Sequence, residues 1–488
     1  MLLLHEHLYL ASFYKMITQI VKTRCSENAM AIKMWAVVVA LLAVLYLGYL
    51  CSAIELYRGY SLLRFSTPTT DWLEQIEDDG FALNTAKNLI TIKYHSISGT
   101  KRTLIDIWAK PNMYHNHADV LVAPEFWNHS LFYSEYMTKS NPFSLRSYVV
   151  DDGEIDRERR DLAYAIKYYR SRRFVVDNAL TDFNLIAYHS YDKIVDYLKM
   201  LSNQYPNLTE VFNITRTYEN RSLIGIKIGS YASQKPAIFI DAGIHAREWI
   251  APAVALYIIS KLVTEYGKDF ELTHMVDTFD WHIVPVANPD GYEYSMTTDR
   301  LWRKHDQGMR QLTSGALVLM QTETGVIEAG ANRSPCSNIY PGSAAFSEVE
   351  TAGIRDFITY QIRDLKIYIS LHSYGQLFLA PWGYTNDKPN NYYDQKQAAS
   401  LAVEAIRNRT GAKYNYGTIS ELMYPASGTS IDYMQDKGVP YIYGIELRPE
   451  DAENNFGFTI PARFIEPTGE EMISALRTMT DYVIKEKL

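Results

Sequence analysis

The chain has 488 residues, of which 47% are hydrophobic and 21% are charged, so length and composition suit a globular protein of two or three domains. A chain of this size has enough residues to bury large hydrophobic cores. The formal net charge is −8, and the sequence shows no basic patch with interleaved aromatic residues, which argues against nucleic acid as a partner.

An uncharged apolar run at residues 34–53 dominates the N-terminal part of the chain. It follows Lys33 and ends in Cys51-Ser52-Ala53, which is the pattern of a secretory signal peptide, although an unusual extension precedes it. At roughly 20 residues the run is also long enough to span a bilayer. We therefore predict a leader over residues 1–53 and a secreted, extracellular protein. A single-pass membrane protein with an uncleaved anchor is the alternative.

Cysteine usage and sequons bear on the same question. Of the three cysteines, Cys25 and Cys51 lie in the leader, which leaves Cys336 alone in the exported body. A single thiol in an oxidising compartment needs a partner or another explanation. Six Asn-x-Ser/Thr sequons give weak support for export and glycosylation: Asn128, Asn207, Asn213, Asn220, Asn332 and Asn408.

Between residues 55 and 160, short strand-like and helix-like runs alternate. Strands are predicted at 60–65 and 118–123, and a helix at 68–77, which together indicate a small α/β or α+β module. Residues 156–173 then predict a charged helix that ends in a basic cluster. This helix is either a solvated surface helix or a linker that trypsin-like proteases can cut.

After Tyr188 the pattern changes to longer elements. An amphipathic helix is predicted at 192–205, and a more apolar one at 251–266. Strand-like runs recur between helices at 223–228, 237–241, 281–286 and 367–370. This alternation indicates a mixed β-sheet flanked by helices.

Candidate metal ligands stand at the ends of two of these strands. His245 and Glu248 follow the apolar run 237–240 at a spacing that lets both reach one ion, and zinc accepts imidazole nitrogen and carboxylate oxygen. His372, at the end of the apolar run 367–371, is the best third ligand, although a histidine there is often an ordinary core residue. Strand ends on one edge of a sheet are where such sites assemble. We therefore predict one Zn²⁺ held by these three side chains.

A metal hydrolase also needs a general base and a group that stabilises the developing oxyanion. Glu446 follows the apolar run 441–445, where burying a carboxylate without a partner costs free energy. It is a candidate base, and an ion pair with Arg448 is the alternative. Arg303 is available to stabilise the oxyanion, although basic residues in loops are usually only solvated.

Taken in chain order, these residues resemble the zinc metallocarboxypeptidases of the digestive A/B type, the funnelins, over residues 181–488. The motifs that carry the resemblance are DAGIHAREW, PVANPDGYEY, DRLWRK, SPCSNIYPG, FSEVET, SLHSYGQ, PASGTSIDY and GIELRP. Residues 55–173 resemble the family's activation domain, with YRGYSLLRF and LVAPEFW as its marks. The resemblance implies an α/β catalytic domain, a mixed β-sheet flanked by helices, preceded by a small α+β activation domain.

The resemblance also implies catalytic roles. His245, Glu248 and His372 would bind the zinc. Glu446 would activate the water and then protonate the leaving amine, while Arg303 would polarise the scissile carbonyl. The substrates would be the C-termini of peptides or proteins. The basic cluster at 170–173 would be the zymogen cleavage region, with a trypsin-like protease as activating partner.

Substrate-binding roles follow in the same way. Arg247 and Tyr374 would line the outer peptide-binding subsites, and Tyr424 would cap the terminal residue. Ile431 falls where the floor of the family's pocket sets the preference. An apolar residue there suggests apolar or aromatic C-terminal residues, whereas an enzyme for basic residues would place an acid there.

The interval after Lys304 departs from the family. There the family carries a G-x-D-x-N-R-N block, whose aspartate orients the first zinc histidine and whose Asn-Arg pair grips the terminal carboxylate of the substrate. A cysteine before the block pairs with the counterpart of Cys336. Residues 305–333 contain neither the cysteine nor the block. Glu328 with Asn332-Arg333 is a possible replacement, but its place directly before Ser334-Pro335-Cys336 favours a coincidence of alignment.

Two functions of different class follow. The first is a secreted zinc carboxypeptidase made as a zymogen, or its membrane-tethered form if residues 34–53 stay uncleaved. The second is a zinc-containing peptide-binding protein with impaired catalysis, because removing one side of a buried charge pair costs roughly 2–5 kcal/mol. The replaced interval is either a true divergence or the product of a misjoined exon.

Overall fold

The computed structural model describes residues 183–229, 235–304, 340–450 and 456–487, and in addition the backbone of eight strands between residues 61 and 149. The predicted leader, the candidate helix at 68–77 and the charged segment at 156–173 lie outside the described residues. The domain boundaries predicted from the sequence therefore stay predictions.

The strands of the N-terminal region form one four-stranded sheet and two hairpins. Their bounds are β1 Ser61–Ser66, β2 Ala82–Thr85, β3 Asn88–Thr91, β4 Ser96–Ile97, β5 Thr100–Lys101, β6 Ile105–Ala109, β7 His117–Val122 and β8 Arg146–Val149. The larger sheet has the order β6-β7-β1-β8 and antiparallel pairing. The strands predicted at 60–65 and 118–123 thus correspond to β1 and β7.

An eight-stranded sheet organises the region that carries the candidate ligands. Its strands are β9 Thr209–Arg216, β10 Ser222–Ile228, β11 Ala237–Ala242, β12 Asp280–Val284, β13 Leu365–Ser373, β14 Leu377–Ala380, β15 Asn415–Thr418 and β16 Tyr441–Leu447. Their order is β15-β14-β16-β13-β11-β12-β10-β9. The four central strands, β16, β13, β11 and β12, are parallel, whereas β10 and β14 pair antiparallel to their inner neighbours.

Nine α-helices accompany this sheet in the described part of the chain. They are α1 Tyr191–Gln204, α2 Ile250–Thr264, α3 Phe270–Thr278, α4 Pro289–Thr297, α5 Val349–Gln361, α6 Tyr392–Thr410, α7 Ile419–Leu422, α8 Ser430–Asp436 and α9 Ile465–Lys487. None of the described helices combines the length and apolar character needed to cross a membrane.

The central strands are apolar on both faces because helices cover both faces of the sheet. Along β11, Ile238 and Ile240 face the core formed with α1, α2, α6 and α9, while Ala237 and Phe239 face the core formed with α5, α7 and α8. Buried parallel strands read as continuous hydrophobic runs for this reason. The predicted mixed β-sheet flanked by helices is confirmed.

The parallel register brings the ends of the central strands to one edge. Asp241 pairs with Ser370 between β11 and β13, and His372 pairs with Glu446 between β13 and β16. The segments after β11 and β12 leave the sheet at the same edge. Sites in open α/β sheets form at this carboxyl edge, where neighbouring connections lead to opposite sides.

Arg448 does not form the ion pair with Glu446 that the sequence allowed as an alternative. Its guanidinium instead binds Glu471 on α9, with Nε at 2.9 and 3.1 Å from the two carboxylate oxygens. Glu471 is fully buried and also accepts hydrogen bonds from Tyr414 and Thr410. This pair fixes the chain two residues beyond Glu446 to the long C-terminal helix.

We expect Glu471→Ala to destabilise the protein by about 3–5 kcal/mol, because it leaves the mostly buried guanidinium of Arg448 without its carboxylate. Urea denaturation measures the change. The control is Asp481→Ala on the same helix, which breaks an exposed pair with Lys485 and should cost less than about 1 kcal/mol. Equal losses in the two variants would contradict this account.

Candidate metal centre

Three side chains predicted as ligands converge at the carboxyl edge of the sheet. His245 Nδ1 lies 2.7 Å from Glu248 Oε1, and His372 Nδ1 lies 3.1 Å both from His245 Nδ1 and from Glu248 Oε2. Among the described residues, this is the group of histidine, cysteine and acidic side chains that could hold a metal ion.

The donor set fits zinc. Two imidazole nitrogens and one carboxylate are a common ligand set of catalytic zinc, which leaves the fourth position open. Donors at 2.0–2.1 Å from a tetrahedral ion lie roughly 3.4 Å from one another. The donor atoms of His245, Glu248 and His372 have nearly this spacing, so small rotations of the side chains would accommodate the ion.

The local chain path explains how His245 and Glu248 reach the same point. After β11 the backbone turns at Gly243, whose φ is +66°. A Cβ there would lie 2.8 Å from Pro252, so both the backbone conformation and the close approach favour glycine. The turn ends at α2, and the pair is presented just before that helix begins.

The electrostatics of the three ligands favour an added positive charge. Burial, reinforced by the charge of Arg303, lowers the pKa of His245 to about 3, so its imidazole is neutral and its nitrogen can act as a ligand. Burial also opposes protonation of His372, but the hydrogen bond and charge of Glu248, with the charges of Glu446 and Asp241, raise its pKa to about 9. The acidic groups that raise the pKa of His372 also favour a divalent cation beside it.

The buried carboxylate of Asp241, which the sequence reasoning missed, supports His372 through Ser370, on the side of the imidazole away from the other ligands. Ser370 Oγ donates to Asp241 Oδ1 at 2.6 Å, and Tyr368 donates to the other oxygen at 2.6 Å. Because that hydroxyl proton points to Asp241, Ser370 Oγ accepts from Nε2 of His372, 3.1 Å away. This chain of bonds sets the tautomer that leaves Nδ1 free for the metal.

Glu446 lies beside the ligands rather than in an ion pair with its neighbour in sequence. Paired residues of adjacent parallel strands face the same side of a sheet, so Glu446 accompanies His372. Burial raises the pKa of Glu446 to about 8, although the charges of His372 and Arg303 oppose the shift. A carboxyl group with a pKa near neutrality can both take up and release a proton.

Arg303 reaches the same centre. Burial lowers its pKa, while Tyr424, Glu248 and Glu446 lie near enough to favour its charge. Its backbone carbonyl accepts a hydrogen bond from the amide of Ala246, next to the ligand His245. The guanidinium is therefore held close to both carboxylates of the site.

The two residues predicted for outer subsites share a partner that the sequence reasoning missed. The guanidinium of Arg247 lies 4.0 Å from the ring centre of Phe458, and the ring of Tyr374 meets the same ring edge-on at 5.1 Å. Phe458 lies in a short 3-10 helix, Gly457–Thr459, outside the motifs that carry the family resemblance.

The two residues predicted for the specificity pocket also lie on this side of the sheet. Ile431 is buried in α8 against β16, and its side chain faces Gly444 at a distance that would still admit a Cβ there. Tyr424 is half-buried in the connection between α7 and α8. The interval 305–333, with Glu328 and Asn332-Arg333, lies outside the described residues, as does Cys336.

Comparison with known proteins decides the family. A model of the zinc carboxypeptidase family, Peptidase_M14, matches residues 194–475. The chain belongs to this family. The predicted funnelin resemblance and the predicted metallocarboxypeptidase are confirmed at this level, as is zinc as the cofactor.

Relatives and a solved structure agree with the assignment. Carboxypeptidase B of Astacus astacus is 39% identical over 300 residues, which cover 61% of this carboxypeptidase and 97% of the relative. Zinc carboxypeptidase A 1 of Anopheles gambiae is 38% identical over 60% of this chain and 67% of its own. The crystal structure of thrombin activatable fibrinolysis inhibitor matches with a TM-score of 0.72 and 26% identity, over 88% of this chain and all of that one.

We expect Ser370→Ala to raise the zinc dissociation constant roughly 10- to 100-fold, because Nε2 of His372 loses the acceptor that orients it. Competition with a coloured chelator measures the constant. Ser370→Thr keeps the hydroxyl and should restore binding. Ser260→Ala, at a buried serine of α2, should leave the constant unchanged. An unaltered affinity in Ser370→Ala would show that the bond does not support the ligand.

Proposed function

We propose that this carboxypeptidase is a secreted enzyme, made as a zymogen, that removes single apolar or aromatic residues from the C-termini of peptides and proteins. The observation that carries the proposal is the meeting of His245, Glu248 and His372 at one point with Glu446 beside them in register. A metal-binding group alone would suit a structural site, but the adjacent carboxyl group adds the general base that hydrolysis requires.

The residues would divide the reaction as follows. Zinc bound by the three ligands would act as a Lewis acid on the scissile carbonyl and on the attacking water. Glu446 would take a proton from that water and deliver it to the nitrogen of the leaving amino acid. Arg303 would donate hydrogen bonds to the carbonyl oxygen as negative charge develops on it.

The proposed preference for apolar or aromatic C-terminal residues rests on the side chains that would line the specificity pocket. Ile431 is buried and apolar, and Gly444 opposite adds no side chain, which suits a large apolar group. Tyr424 would close over the bound residue. Arg247 and Tyr374, with Phe458 between them, would hold the peptide further from the scissile bond.

The proposed export and activation rest on sequence features. The apolar run 34–53 suits a signal peptide, with the uncleaved anchor as the alternative. All four sequon asparagines in the described residues are exposed: Asn207, Asn213, Asn220 and Asn408. The basic cluster at 170–173, between an N-terminal sheet and the catalytic region, suits cleavage by a trypsin-like protease.

The departure in residues 305–333 supports a second candidate. A protein that binds zinc and peptides but lacks the Asn-Arg pair for the terminal carboxylate would hydrolyse them poorly. An assay of peptide hydrolysis together with the zinc content separates the enzyme from the peptide-binding protein.

We expect hydrolysis of a blocked dipeptide ending in Phe only after limited trypsin treatment, with loss of activity on chelation of the metal. Glu446→Gln should lower kcat by roughly 10²- to 10⁴-fold, because the general base is removed. The control Glu404→Gln changes an exposed glutamate of α6 and should not matter. Stoichiometric zinc without release of Phe would contradict the enzyme and favour the peptide-binding protein.

We expect Ile431→Asp to lower kcat/KM for the Phe substrate roughly 100-fold and to raise it for substrates ending in Lys or Arg, because a carboxylate in an apolar pocket discriminates charge. Ile431→Leu is the control and should keep the preference for Phe. Thermal unfolding of both variants checks that the fold persists. An unchanged ratio of Phe to Arg hydrolysis would exclude Ile431 from the pocket floor.

A further inference from the structure

Both the oxygen and the nitrogen of the Asn288 side chain form hydrogen bonds to backbone groups near the metal centre. Asn288 is fully buried between β12 and α4. Its Oδ1 accepts a hydrogen bond from the amide of Gly291 at 2.9 Å, which caps the helix. An asparagine that served only as a cap would leave its amide group free for water, but here the amide group points into the protein.

The amide group of Asn288 bridges two backbone carbonyls. Nδ2 donates to the carbonyl of Ile244 and to that of Lys304, at 3.1 Å in each case. Ile244 directly precedes the ligand His245, and Lys304 directly follows Arg303. One side chain therefore binds the residue next to a zinc ligand and the residue next to the oxyanion-stabilising arginine.

Space around this bridge is tight. A Cβ on Gly291 would lie 2.3 Å from the carbonyl oxygen of Lys304 and 2.4 Å from Nδ2 of Asn288. The backbone of Asn288 is tied as well, since its amide donates to Gly243 at the turn after β11. The side chain therefore has little freedom to adopt another arrangement.

Two further bonds join the same segments. The amide of Ala246 donates to the carbonyl of Arg303 at 3.0 Å, and the guanidinium of Arg300 donates to the carbonyl of Arg247 at 2.9 Å. All of these bonds are made by residues up to Lys304. They tie the backbone around Arg303 to residues 243–248.

We propose that Asn288 is a positioning residue that couples Arg303 to the ligand loop at residues 243–248. The inference rests on the proposed function, in which Arg303 acts on the scissile carbonyl. The side chain of Asn288 binds backbone carbonyls beside His245 and Arg303, not those two side chains themselves. Its contribution is the distance between the arginine and the metal, and a displacement near 1 Å at such a site can cost about 10²-fold in rate.

The test is a double-mutant cycle on the trypsin-activated zinc enzyme, with Asn288→Asp, Asn288→Ala and Arg303→Ala. Asn288→Asp keeps the acceptor for Gly291 but turns an oxygen toward the two carbonyls, so it should lower kcat roughly 10- to 100-fold with little change in KM or zinc content. In the Arg303→Ala background the same change should cost less than about threefold, because coupled residues are not additive.

The control is Asn391→Asp, at an asparagine whose amide likewise donates to a backbone carbonyl, that of Pro440, away from the metal centre. It should leave kcat unchanged. Equal losses from Asn288→Asp with and without Arg303 would overturn the inference, because Asn288 would then act on the fold alone. Asn288→Ala repeats the cycle if the aspartate variant does not fold.

Hydrogen exchange gives a second readout that does not depend on activity. The peptide that contains Ala246 should exchange faster in Asn288→Asp than in wild type, while Asn391→Asp should leave it unchanged. Unchanged exchange would overturn the inference. If wild type hydrolysed nothing, the proposed function would fail, and faster exchange would still support the bridge between the two segments.

Discussion

The parallel register of four buried strands is the constraint on which the site depends. Parallel pairing aligns His372 with Glu446, and the turn after β11 brings His245 and Glu248 to the same edge. The two imidazoles and two carboxylates of this centre come from three separate segments, which the sheet brings together. The sheet can hold these side chains together because helices on both faces bury its central strands and fix how the strands are aligned with one another.

Burying so many polar groups together requires that each has a partner. Glu248 contacts both histidines, and His372 is backed by Ser370 and Asp241, so the charge of the cluster is distributed over several hydrogen bonds. Burial, together with the charge of Glu248, raises the pKa of Glu446 towards neutrality. Burying the carboxyl group of Glu446 costs free energy, and the same burial raises its pKa into the range that suits a general base.

Much of this arrangement could be predicted from the sequence, because apolar runs that end in polar residues indicate buried strands with sites at their ends. His245, Glu248, His372 and Glu446 were found in this way, and the structure brings them together. The alternative pairing of Glu446 with Arg448 was wrong. The partner of Arg448 is Glu471, on a helix whose place in the fold cannot be inferred from a local pattern.

The supporting residues were harder to find for a related reason. Asp241, Ser370 and Asn288 all lie within motifs that the resemblance had marked, but their roles depend on strand register and on backbone carbonyls, which have no sequence signature. Phe458 lies outside every motif. Pattern and spacing identify side chains that perform chemistry, whereas those that orient them become visible only when distant segments are brought into contact.

Helix α9 has a consequence for when the protein can become reactive. Its residues Met472, Leu476 and Met479 lie against the face of β11, β13 and β16, and Glu471 secures the strand that carries Glu446. The ribosome synthesises this helix after every residue of the centre. A nascent chain therefore lacks one wall of its own core until translation has passed the residues of the centre, so the strands that carry them cannot be fully packed before this helix is made.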